Sequence, residues 1–91
     1  MMLSHRATTR FKKDLQKTIS QGKDYGKFRT VLQLLLNQMS LDPKYEDHPL
    51  VGNFVGFREL HIRPDWLLIY KIDGEVLILE RTGSHSELFG K

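Results

Sequence analysis

Three of the four histidines lie in the second half of the chain: His48, His61 and His85, with Arg81 just ahead of the last. Imidazole titrates near neutrality, so one ring can accept a proton while another donates one at the same pH. A nearby guanidinium adds a bidentate hold on phosphate and stabilises charge as it develops there. Together they suit cleavage of RNA at a phosphodiester through the adjacent 2′-hydroxyl, with Trp66 or Phe89 able to stack on an unpaired base. Each residue also has a plainer reading. A lone His at a strand end is usually structural, Arg81 suits an ion pair with Asp65 or Glu80, and Trp66 suits a core. A zinc set of the histidines with Asp65 is a further option, but their spacings match no compact zinc motif, so neither metal nor other cofactor is expected. There is no Cys, which excludes a thiol nucleophile and a disulfide scaffold.

These side chains meet only if the chain between them forms a sheet. Strand-like runs cover 57–62, 66–72 and 75–82, with Pro64 suited to a tight turn and Asp73-Gly74 to a two-residue hairpin. That hairpin sets Ile72 opposite Glu75 and Tyr70 opposite Leu77. A turn on Pro64-Asp65 sets Arg63 opposite Trp66 and His61 opposite Leu68. Residues directly opposed share a face, so Leu60, Ile62, Leu67, Ile69, Val76 and Ile78 are expected to lie under helices. Glu59, His61, Trp66, Leu68, Tyr70, Leu77, Leu79 and Arg81 then share the other face. Gly83-Ser84 turns the chain into a short helix that brings His85 and Phe89 back to the same end. Whether His48 joins them depends on the long connection at 41–56, which holds Pro43, Pro49, Gly52 and Gly56 and shows no period.

Upstream, Phe11, Leu15 and Ile19 recur every fourth residue after the candidate caps Thr8 and Thr9. A broader apolar stripe from Phe28 to Met39 predicts a second helix over 25–39. The segment before Thr8 reads as a possible edge strand. The fold class is therefore α+β: a helix hairpin on one face of a small antiparallel sheet, closed by a short C-terminal helix. At 91 residues the chain is one domain, 1–91.

Charge is uneven along it. Residues 1–46 carry nine Lys and Arg against four acidic groups, or +5; the remainder carries five against seven, or −2. Lys12, Lys13, Lys17, Lys23, Lys27 and Arg29 sit on or between the two helices, where they suit contacts to the phosphates of RNA. No apolar run reaches the roughly 20 residues of a membrane span and no signal-type start is present, so a cytoplasmic protein without a membrane partner is expected.

The motifs Asp47-His48-Pro49-Leu50, Gly56-Phe57-Arg58-Glu59, His61-Ile62-Arg63-Pro64-Asp65-Trp66 and Arg81-Thr82-Gly83-Ser84-His85, ending in Leu88-Phe89, occur in order. Together they resemble the YafQ branch of the RelE/ParE toxin superfamily. The resemblance implies a toxin of a type II toxin–antitoxin module that cuts mRNA in the ribosomal A site. It also implies a cognate DinJ-like antitoxin, with the ribosome and mRNA as further partners. Its catalytic positions fall on His48, His61, Asp65 and His85, with Arg81 and Phe89 as further members of the site and Trp66 beside the motif Asp. Two other readings are a ParE-like inhibitor of DNA gyrase, whose members lack this histidine set, and a non-catalytic RNA- or protein-binding domain.

Overall fold

The computed structural model describes residues 2–90. The elements run β1 (Ser4–Ala7), α1 (Thr9–Ser20), α2 (Tyr25–Leu36), a 3-10 turn (Pro43–Tyr45), β2 (His48–Pro49), a second 3-10 turn (Gly52–Phe54), β3 (Arg58–Arg63), β4 (Trp66–Asp73), β5 (Val76–Gly83) and α3 (His85–Phe89). Thr8 caps α1 by accepting from the Phe11 amide, and Asp24 caps α2 through the Gly26 amide. Helix α2 stops at Leu36 rather than at 39. Gln38 turns left-handed (φ 52°), and the Gln38 and Met39 amides donate to the Leu35 and Leu34 carbonyls, a Schellman-type end that leaves Met39 exposed. On α1 the buried positions are Phe11 and Thr18, with Ile19 at the exposed rim.

The five strands form one sheet in the order β1-β5-β4-β3-β2. The N-terminal segment is indeed an edge strand, but it runs parallel to β5, so the sheet is mixed rather than wholly antiparallel. The β4–β5 turn falls one residue later than expected. Asp73 pairs with Val76, and Gly74, with φ 62°, takes the first turn position, where glycine relieves the left-handed strain. Tyr70 consequently faces Leu79 instead of Leu77.

The larger correction concerns the faces. Arg63 pairs with Trp66 as expected, but the register shifts between His61 and Arg63, after which His61 faces Leu67 and Leu60 faces Leu68. This bulge reverses the alternation of β4 relative to β3. The face under α1 and α2 therefore carries Leu60, Ile62, Trp66, Leu68, Tyr70, Leu77 and Leu79, packed with Phe11, Phe28, Val31 and Leu35. Leu67 and Ile69 point the other way, into a second cluster with Leu50, Phe54, Phe57, Leu88 and Phe89. Both faces of β4 are covered, so Trp66 to Tyr70 are buried without interruption. Among the described residues, no helix is long and apolar enough to cross a membrane.

Candidate active site

The second cluster supports the site. Helix α3 folds back across this face because the chain turns sharply at Gly83, where φ is 151° and a Cβ would stand 3.0 Å from a Glu87 carboxylate oxygen. Ser84 then closes a capping box: its hydroxyl accepts from the Glu87 amide at 3.1 Å, and the Glu87 carboxylate accepts from the Ser84 amide at 2.9 Å. That amide, and then the Lys17 ammonium at 3.1 Å, hold the Glu87 carboxyl down to about 2. Below, Leu88 plugs the apolar cluster, so His85 and Phe89 are fixed at the sheet surface.

Three imidazoles gather there. The His61 and His85 rings meet edge to face with centroids 5.8 Å apart, and Phe89 lies 6.0 Å beyond His85. His48 reaches the group through β2, which pairs with β3 so that His48 is opposite Glu59. The Glu59 Oε1 atom stands 3.5 Å from Nε2 of both His48 and His61. In each of these rings Nδ1 faces a backbone carbonyl, that of Glu46 at 2.6 Å for His48 and that of Pro64 at 3.2 Å for His61. A carbonyl can only accept, so Nδ1 donates in both rings and Nε2 is turned toward Glu59. Asp65 completes the rim, accepting from the His85 amide at 3.3 Å and lying 3.7 Å from its Nδ1.

Glu59 was not singled out by sequence reasoning, although it is buried at the centre of the group. The available signal was its spacing: Glu59 and His61 are two apart on a strand and must share a face. A second unforeseen feature is a polar clamp behind His48. Asp47 accepts from the Tyr70 hydroxyl at 2.6 Å and from the Arg58 Nη2 at 3.0 Å, fixing the loop from two strands at once. Burial, then the bond to Asp47, pushes the Tyr70 hydroxyl up, and Asp47 holds the Arg58 charge.

Other expected members are placed differently. Trp66 is buried on the helix side, and its indole Nε1 donates to the Thr82 hydroxyl at 2.9 Å, so it is a core residue and no stacking platform. Phe89, half-buried beside His85, is the aromatic ring at the site. Arg81 lies opposite Ile69, in the same row as Glu59, but its guanidinium turns to the Asp14 carboxylate of α1 at 2.5 and 3.2 Å. It is therefore engaged in an ion pair and is not in contact with the imidazoles. Among the helix cations Lys17 is tied to Glu87, whereas Lys12, Lys13, Lys23, Lys27 and Arg29 are exposed.

One carboxylate and two imidazoles, from Glu59, His61 and His85, offer ligand atoms all within 4.8 Å of one another, a donor set that suits a divalent transition ion. This arrangement was not expected from the linear spacing.

A family model for bacterial toxins of type II toxin–antitoxin systems, YafQ, matches residues 3–90. The chain belongs to the YafQ toxin family. It is 42% identical over 81 residues to the mRNA interferase toxin YafQ of Escherichia coli K12, with 88% of each chain covered. Its fold superposes on YafQ in the E. coli DinJ–YafQ toxin–antitoxin complex with a TM-score of 0.89 at 37% identity, covering 99% of this chain and 100% of that one. It superposes equally well on a metal-bound toxin from Helicobacter pylori, with a TM-score of 0.90 at 43% identity over 97% and 100% of the two chains.

Proposed function

We propose that this chain is an mRNA interferase, an endoribonuclease that cuts mRNA in the ribosomal A site and is held inactive in the cytoplasm by a DinJ-like antitoxin. The observation that carries this reading is the convergence of His48 and His61 on Glu59, with His85 and Asp65 alongside, in a member of the YafQ family.

The chemistry follows from the geometry. The scissile phosphate sits over the His61–His85 pair, with the base beside it resting on Phe89. An imidazole Nε2 next to the Glu59 carboxylate accepts the proton of the 2′-hydroxyl, because the anion stabilises the imidazolium that forms. The 2′-oxygen bonds to phosphorus as the bond from phosphorus to the 5′-oxygen breaks. His85 protonates that leaving oxygen, with Asp65 orienting its ring through Nδ1. The products are a 2′,3′-cyclic phosphate and a 5′-hydroxyl. Arg81, two strands from His61, serves the phosphate through the part of its fork not taken by Asp14. Were a divalent ion held by Glu59, His61 and His85, it would supply Lewis-acid charge at the phosphate in place of the proton transfers given to those rings.

The test is primer extension on a reporter mRNA after induction of the protein, with and without an intact ribosome-binding site. Cuts are expected only in the translated transcript. Equal cutting of both transcripts would contradict ribosome dependence, and no cutting of either would contradict the activity.

A further inference from the structure

Beside the histidines lies a second, unassigned feature. The ladder between β2 and β3 stops at Glu59, and past that point a cavity of about 440 Å³ opens along the edge of β3. Its wall includes His61, and three cations converge on it from three different elements: Lys27 of α2, Lys44 of the first 3-10 turn and Arg63 at the end of β3. Glu46 is the single carboxylate in the lining. Lys44 is steadied by its ammonium standing 5.2 Å over the Tyr45 ring. Lys27 and Arg63 also line the adjoining cavity of about 380 Å³, which reaches Lys23 and the carboxylate of Asp24 at the N-terminal end of α2.

We infer that this cavity is a subsite for one flanking nucleotide of single-stranded RNA, its phosphate held by Lys27, Lys44 and Arg63. The inference rests on the proposed RNA-cleaving role of His61. A strand whose scissile phosphate lies between His61 and His85 must continue past one of these rings, and on the His61 side it enters this cavity directly. Its volume falls in the range of pockets that enclose a small ligand. Three cations against one carboxylate suit a phosphodiester backbone read by charge rather than by base. An acidic antitoxin segment would match the charge alone, whereas continuity with a reacting imidazole favours the nucleic acid.

The experiment measures binding of a 2′-O-methyl RNA hexanucleotide, which cannot be cut, to the full chain over a range of salt concentrations. The double variant Lys44→Gln/Arg63→Gln is expected to bind about tenfold more weakly, with the salt slope reduced by about 0.7, the increment for one phosphate no longer neutralised. Lys44→Arg/Arg63→Lys, which keeps both charges, should retain the wild-type slope and exclude misfolding as the cause. Wild-type affinity and slope in the glutamine variant would overturn the subsite. So would retained RNA affinity combined with lost binding of the antitoxin, which would assign the cavity to a protein. Because the probe is not cleaved, failure of the cleavage chemistry in the primer-extension test leaves this measurement independent.

Discussion

At the scale of single residues, the decisive arrangement is a buried carboxylate shared by two imidazoles. Glu59 is 4% exposed and is approached at 3.5 Å by Nε2 of His48 and of His61. Glu59→Gln keeps the volume and one acceptor while removing the charge. Cleavage is expected to slow about ten- to hundredfold. Single-turnover rates measure this, and an unchanged rate would remove Glu59 from the chemistry. The histidines were legible in the sequence as a functional set because their type restricts what they do near neutrality. Glu59 was less so, since a carboxylate on a strand is common and only the fold shows that it is buried between two rings. Arg81 illustrates the reverse: its residue type suggested a phosphate clamp, but the Asp14 carboxylate that occupies part of its fork lies 67 residues earlier and was not foreseen.

At the scale of elements, the bulge between His61 and Arg63 and a capped helix position the site. The three meander strands and the two long helices were readable from their residue patterns, and the cap of α1 from the residue type of Thr8, whereas β2 and the Asp24 cap of α2 were not. Nor was the facing of the strands, because a single register shift between His61 and Arg63 exchanges the two sides of β4 and leaves no mark in hydropathy. The apolar run from Trp66 to Tyr70 was itself the clue that β4 is covered on both faces. Leu67→Ala and Leu68→Ala point to opposite sides, and both are expected to cost about 2–5 kcal/mol in denaturant unfolding. A near-neutral Leu67→Ala would contradict the second layer. Helix α3 is secured by Glu87, whose carboxyl is held down to about 2 against an ordinary value of 4.5. A group lowered in this way stabilises the fold above its unfolded pKa, and that contribution is lost as the pH falls from about 4.5 towards 2. Wild type is therefore expected to lose more stability than Glu87→Gln over that interval, as followed by thermal unfolding at each pH. Parallel losses would show that the carboxylate does not anchor α3.

At the scale of the whole molecule, the sheet separates two tasks. One face carries the main core with α1 and α2, and the other carries a smaller aromatic cluster on which the reacting groups are mounted. Lys27, Lys44 and Arg63 line the cavity beside β3, next to His61 at the edge of this platform. The most direct test of this account is the cleavage rate of His85→Ala on translated mRNA, with folding verified by its unfolding curve and the new 3′ ends analysed chemically. Wild type should leave 2′,3′-cyclic phosphates, and the variant should be about a hundred- to ten-thousandfold slower at unchanged stability. A well-folded His85→Ala protein that cuts at the wild-type rate would contradict it.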